Sequence, residues 1–193
     1  MEGAVTWAFE MEDQPPFEGF RELATNGIDK PVLNVFRMMG KLNGDWLATE
    51  SSNGLSLDDI VQGRATESSD INAVATEGQG SEGHQVSILV WNYHDDDLPA
   101  KEAAIQLHVE GLKTSSATAT EYRMDATHSN AYTAWQQMGS PANLTSDQQK
   151  QLEAAGALTE SVTPHPVAVV DNRANLSLSL PRQGVALIHL TWK

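Results

Sequence analysis

No cysteine occurs anywhere in the 193 residues. Its absence excludes a disulfide framework, a thiolate nucleophile and a sulfur-ligated metal, and it leaves the compartment open. Positive charge is scarce as well: 12 Lys and Arg stand against 26 Asp and Glu, for a formal charge of -14. Such a chain has little with which to neutralise phosphates or hold an anionic membrane surface, so neither nucleic acid nor a membrane is an expected partner. A neutral sugar is indifferent to that charge, whereas an acidic polysaccharide is repelled. Long apolar runs are missing too. Val86 to Trp91 is among the longest, far short of the roughly 20 residues a membrane-spanning helix needs. Met1-Glu2-Gly3-Ala4 has neither the basic start nor the apolar stretch of a signal peptide, so any such signal is expected to belong to a longer parent. Serine-nucleophile and phosphate-loop signatures are absent, and the histidines show no paired spacing for zinc. No metal and no cofactor is therefore expected.

What is present is a globular composition, with 40% hydrophobic and 20% charged residues. The length suits one domain, or one domain plus a fragment of another. The stretch from Gly3 to Glu12 reads as a strand rich in aromatic and β-branched residues, ended by Asp13-Gln14-Pro15-Pro16. Period two puts Trp7, Phe9 and Met11 on one face and Ala8, Glu10 and Glu12 on the other. After a long loop, Asp29-Lys30-Pro31 opens a helix in which Val32, Val35, Phe36 and Met39 recur at helical spacing until Gly40. A single strand and helix of this kind cannot bury its own apolar faces.

From about Asn43 the texture changes to short strand-like runs separated by Gly, Asn, Ser and Asp. The clearest are Gln85 to Tyr93, Ala104 to Val109, Ala117 to Arg123, Val167 to Val170, Ala174 to Leu180 and Val185 to Trp192. With hardly a helix between them, they point to an antiparallel β-sandwich. The polar stretch Gly78 to Gly83 reads as a flexible connection between strands. One helical interruption is expected: Thr145 as N-cap before Gln149 to Ala155, stopped at Gly156, with a shorter helix through Ala131 to Met138.

Glycoside hydrolysis needs two carboxyl groups flanking the scissile bond. Glu10 and Glu12 share a strand end, about 7 Å apart at a rise of about 3.3 Å per residue. Catalytic pairs on barrels come from different strands, so these two are candidates for sugar hydroxyl binding rather than for catalysis. The plainer reading is that they bind hydroxyls or pair with a cation such as Arg21, and simple solvation is the remaining alternative. Trp7, Phe17 and Phe20 offer aromatic faces for a sugar ring, and core packing serves each as well. His94-Asp95-Asp96-Asp97 has oxygen ligands suited to calcium but lacks calcium-loop spacing, and a solvated turn explains it better.

Two longer motifs carry a resemblance. The first runs Thr6-Trp7-Ala8-Phe9-Glu10-Met11-Glu12-Asp13-Gln14-Pro15-Pro16-Phe17, then Gly19-Phe20-Arg21 and Leu23 to Met38. The second is Tyr122-Arg123-Met124-Asp125, His128-Ser129-Asn130-Ala131-Tyr132, Trp135 and Met138-Gly139-Ser140-Pro141. Together they resemble the C-terminal region of glycoside hydrolase family 39 β-xylosidases. The resemblance implies a mainly β fold: an antiparallel β-sandwich preceded by the last strand and helix of a TIM (β/α)8 barrel. It places the barrel remnant at 1–42 and the accessory sandwich at 43–193, with a helical insertion around 129–156.

The resemblance further implies a retaining glycosidase acting on xylose-containing oligosaccharides, with catalytic glutamates on the fourth and seventh barrel strands. No residue here matches either one, so no catalytic residue is assigned and the chain alone is expected to be inactive. Glu10, Glu12, Trp7 and Phe17 are carried over as substrate-binding residues. The unpartnered remnant is expected to pack on the sandwich, to stay mobile, or to pair with a second copy. The alternative is a stand-alone carbohydrate-binding or interaction module using Trp46, Trp91, Tyr93 and Trp135.

Overall fold

A computed structural model describes residues 8–18, 22–64, 68–80, 83–96 and 98–193. The chain divides into two compact units: 1–37 with 124–159, and 38–123 with 160–193.

The first unit begins with β1 (Ala8–Met11), which runs parallel to β2 (Glu22–Thr25). β2 turns back antiparallel into the short β3 (Ile28–Asp29), making a three-stranded sheet with β1 at one edge. The long loop expected between strand and helix thus contains a hairpin. Its two-residue turn is Asn26-Gly27, both at positive φ (50° and 78°), the conformation that this dipeptide adopts more readily than any other. α1 (Pro31–Met39) follows where the sequence places it, with Pro at its first position.

The helical insertion forms α3 (Ala131–Gln137) and α4 (Ser146–Gly156). Thr145 and Gln148 cap α4 reciprocally, each side chain meeting the other's backbone N–H. These helices cover Ile28 of β3, Phe17 and the Asn34 side of α1, while Phe9 and Met11 of β1 stay exposed. Ile28, Ala131 and Leu152 form a buried cluster, joined by Phe17, Ala134, Trp135, Met138 and Leu144. Asn34 of α1 is fully buried, and its Nδ2 donates to the carbonyls of Ser129 (2.8 Å) and Gly156 (2.7 Å). Gln149 Nε2 donates to Asn26 O at 2.8 Å, tying α4 to the hairpin turn.

The second unit is an eight-stranded sheet in the order β4-β5-β6-β11-β8-β9-β10-β7. The strands are β4 (Asp45–Leu47), β5 (Asp70–Gly80), β6 (Gly83–Tyr93), β7 (Ala103–Glu110), β8 (Ser116–Met124), β9 (Glu160–Val170), β10 (Arg173–Leu180) and β11 (Gly184–Trp192). All six runs read from the sequence lie within these strands, β6 to β11. The sandwich is one curled antiparallel sheet, with β9 paired to β8 on one side and to β10 on the other. Its inner face buries Val86, Ile88 and Val90 of β6 and Ala186, Ile188 and Leu190 of β11. Facing residues include Ile105, Val109, Ala117, Ala119, Val169, Ala174 and Leu180.

The stretch from Gly78 to Gly83 is mostly strand: Gly78, Gln79 and Gly80 pair with Gln85, His84 and Gly83. The glycine at 78 answers to packing, since a Cβ there would lie 2.8 Å from the Asn43 carbonyl oxygen. β9 pairs with β10 only at Val169 and Val170. Further along it, Pro166 and Pro164 have no N–H to continue a ladder. The strands part there, leaving a cleft of about 350 Å³ lined by His165, Pro166, Val167, Asn175, Leu176 and Leu178 among others. A short helix, α2 (Leu57–Val61), is capped reciprocally by Ser56 and Asp59.

Candidate functional site

Glu10 lies on β1 near its C-terminal end and Glu12 just beyond it. Glu10 is exposed, and its Oε1 accepts the Gly27 N–H at 2.6 Å. The Asn26 N–H meets Met11 O at 2.9 Å, and Asn26 Nδ2 meets Gln14 O at 2.6 Å. Glu10 therefore fixes the Asn26-Gly27 turn against the strand end. Glu12 lies one residue past β1 and is exposed. Phe17, at a φ of 60°, is half-buried and packs on Tyr132 and Trp135, each ring centroid 5.3 Å away. Trp7, Phe20 and Arg21 fall outside the described residues.

Sequence reasoning did not single out Glu22. This carboxylate is buried on β2, where Lys30 Nζ reaches it at 3.3 Å and Thr25 Oγ1 donates to it at 3.3 Å. Charge alternation gave no signal for it, because the partner comes from beyond the hairpin.

Asp125 and His128, quoted above only as part of a motif, form a built pair. His128 Nδ1 lies 2.9 Å from Asp125 Oδ1, which also accepts from the N–H groups of Thr127 (2.7 Å) and His128 (2.9 Å). Burial alone would raise the Asp125 carboxyl, but these hydrogen bonds and the neighbouring imidazole outweigh it and hold the group below its usual range. His128 and Ser129 line a cleft of about 330 Å³ with Thr133, Gln137, Ala155 and Thr159.

At the end of β6, His94 Nδ1 stands 3.2 Å from Asp96 Oδ2, close enough for an ion pair but out of line for a hydrogen bond. Arg182 donates to the other Asp96 oxygen. Burial opposes ionisation of Asp96, yet the Leu98 N–H, Arg182 and His94 together hold its pKa below the ordinary value. An arginine in that place takes the charge a calcium ion would need. Among the described residues no cluster of His, Asp and Glu suits a metal.

His189 of β11 has Nδ1 3.2 Å from Ser87 Oγ and meets the Tyr122 ring edge-on, while Lys41 lies 4.8 Å over that ring. Burial first, and the Lys41 charge second, push the imidazole down to about 4 from 6.5. The unfolded chain then takes up this proton at a higher pH than the folded one. Stability is fully present above pH 6.5 and falls as pH drops through the window from 6.5 to 4. We expect this group to account for about 1–2 kcal/mol of that loss, reduced because the ring keeps solvent contact. Urea unfolding of His189→Asn should accordingly show a shallower acid dependence than the parent.

Comparison with known proteins places this geometry. Glycosyl hydrolases family 39 matches residues 3–169. A "Beta-xylosidase" of Caldicellulosiruptor saccharolyticus is 26% identical over 174 residues, covering 89% of this chain and 32% of that protein. The crystal structure of the GH39 enzyme from Xanthomonas axonopodis pv. citri superposes with a TM-score of 0.71 at 17% identity, over 92% of this chain and 33% of that one. A monomeric β-xylosidase from Caulobacter crescentus CB15 gives 0.70 at 19% identity, over 92% and 34%. The chain thus spans about a third of the length of these relatives, and it shares the fold of the part it matches. With the family matched over most of its residues, the chain belongs to glycosyl hydrolases family 39.

Proposed function

We propose that the chain is the C-terminal portion of a retaining glycosidase that hydrolyses xylose-containing oligosaccharides. Residues 1–42 would contribute the last strand and helix of its catalytic barrel, and 43–193 its accessory β-domain with the helical insertion around 129–156. The observation that carries this reading is the family match over residues 3–169 by a chain a third as long as its β-xylosidase relative. The state of β1 supports it. One edge pairs with β2 and, among the described residues, the other faces no strand, while Phe9 and Met11, two residues apart, are 61% and 41% exposed. Apolar side chains at a strand margin suit a neighbour supplied by the rest of a barrel. In the isolated chain a second copy could pair along the same margin.

In this reading Glu12, Trp7 and Phe17 border the sugar, and Glu10 positions the turn beside it with its second oxygen available to a hydroxyl. The acid/base and nucleophile belong to the missing barrel strands, because retaining hydrolysis needs two carboxyls about 5–5.5 Å apart across the glycosidic bond. The isolated chain is expected to release no nitrophenol from an aryl β-xyloside above the buffer rate. Turnover that vanishes in Glu10→Gln or Glu12→Gln would overturn the assignment of catalysis elsewhere.

A further inference from the structure

We infer that the accessory β-domain carries its own binding pocket for a neutral pyranose ring, built on Trp91 and Tyr93. The two residues stand two apart on β6, on the face opposite Val86, Ile88 and Val90 of the core. They line a pocket of about 240 Å³ with Asp70, Asn92, Gln183, Gly184 and Val185. Both aromatic side chains are held by hydrogen bonds. Trp91 Nε1 donates to Asp70 Oδ2 at 2.8 Å, and the Asp70 Oδ1 atom accepts the Leu55 N–H at 2.8 Å. Tyr93 donates its hydroxyl to Asp95 at 2.9 Å, and this bond raises the phenol's pKa.

Rings fixed in advance lose little freedom when a ligand arrives. Two aromatic surfaces give a sugar's apolar C–H face somewhere to pack, while Asp70 and Gln183 line the same pocket with side chains already tied to Trp91 and Leu55 and to the His94 and Asp96 carbonyls. Core packing accounts for part of Trp91 but not for Tyr93, which is 43% exposed. The carboxylates of Asp70 and Asp95 and the net charge of -14 disfavour an anionic ligand and leave a neutral one unopposed. The choice of xylose-type sugars as probes rests on the family reading. The pocket needs neither a barrel nor hydrolysis.

The test is a heteronuclear NMR titration of the full chain with methyl β-xyloside, xylobiose and, as the charged control, glucuronate. Saturable shifts of the Trp91 indole N–H and of the Tyr93 backbone with the neutral sugars, and none with glucuronate, are expected. Tyr93→Ala, a change at an exposed position, should weaken binding about fivefold to tenfold, with the other core resonances unmoved. Shifts confined to residues 8–30 would overturn the pocket while sparing the proposed function. An absence of shifts at Trp91 and Tyr93 with any neutral sugar, or binding insensitive to Tyr93→Ala, would overturn it too.

Discussion

Replacing Asn34 with aspartate is expected to cost about 3–5 kcal/mol, with urea unfolding followed through Trp135 as the measurement. The side chain is the same size, so packing is preserved and only the donor is lost. Asn34 Nδ2 serves two buried carbonyls, Ser129 O and Gly156 O, and its Oδ1 accepts from Arg37 at 3.0 Å. A carboxylate would keep the arginine contact but turn a second charged oxygen toward two carbonyl oxygens with no solvent between. Protonating that carboxyl restores one donor. The deficit relative to the parent should therefore shrink as pH is lowered, and a deficit constant with pH would show that the donor role is not the cause.

Leu152→Ala is expected to cost about 2.5–5 kcal/mol, by loss of apolar contact and by the cavity left behind. Leu152 is fully buried between Ile28 and Ala131, and the cluster around it is small. A small cluster has few neighbours that can move in to fill a hole. The first sign should be proteolytic cutting in 22–30 and 140–160, because α4 holds the Asn26-Gly27 turn through Gln149. Equal resistance of parent and variant to protease would contradict the role given to this cluster.

Much of this architecture is written locally. The strands β6, β7, β8, β10 and β11 announce themselves by β-branched and apolar alternation, and α1 and α4 by Pro31 and the Thr145 cap. β5 is silent because its inward residues Ile71, Ala73 and Ala75 are mostly small, and alternation of Ala with Asn and Thr has little contrast. The β2–β3 hairpin did have a signal, Asn26-Gly27, but its strands are too short for periodicity to reinforce it.

What local reading could not supply is the packing of β3, Phe17 and α1 against α3 and α4. That packing depends on bonds such as Asn34 to Gly156, 122 residues apart, and on Phe17 meeting Tyr132 and Trp135. Phe17, a candidate for sugar contact, is half-buried and also packs in that joint. The Asp125–His128 pair was visible as letters in a motif, but its geometry depends on a turn that no spacing rule describes.

The two prolines of β9 matter beyond the cleft they open. A sheet margin with free donors and acceptors invites a foreign segment to zip onto it, and from there fibrous growth can begin. Pro164 and Pro166 delete alternate rungs from any such zipper, in a strand where Val162 and Val170 are exposed. Residues that forbid β9 a full embrace of β10 also leave a foreign segment fewer donors to bind there.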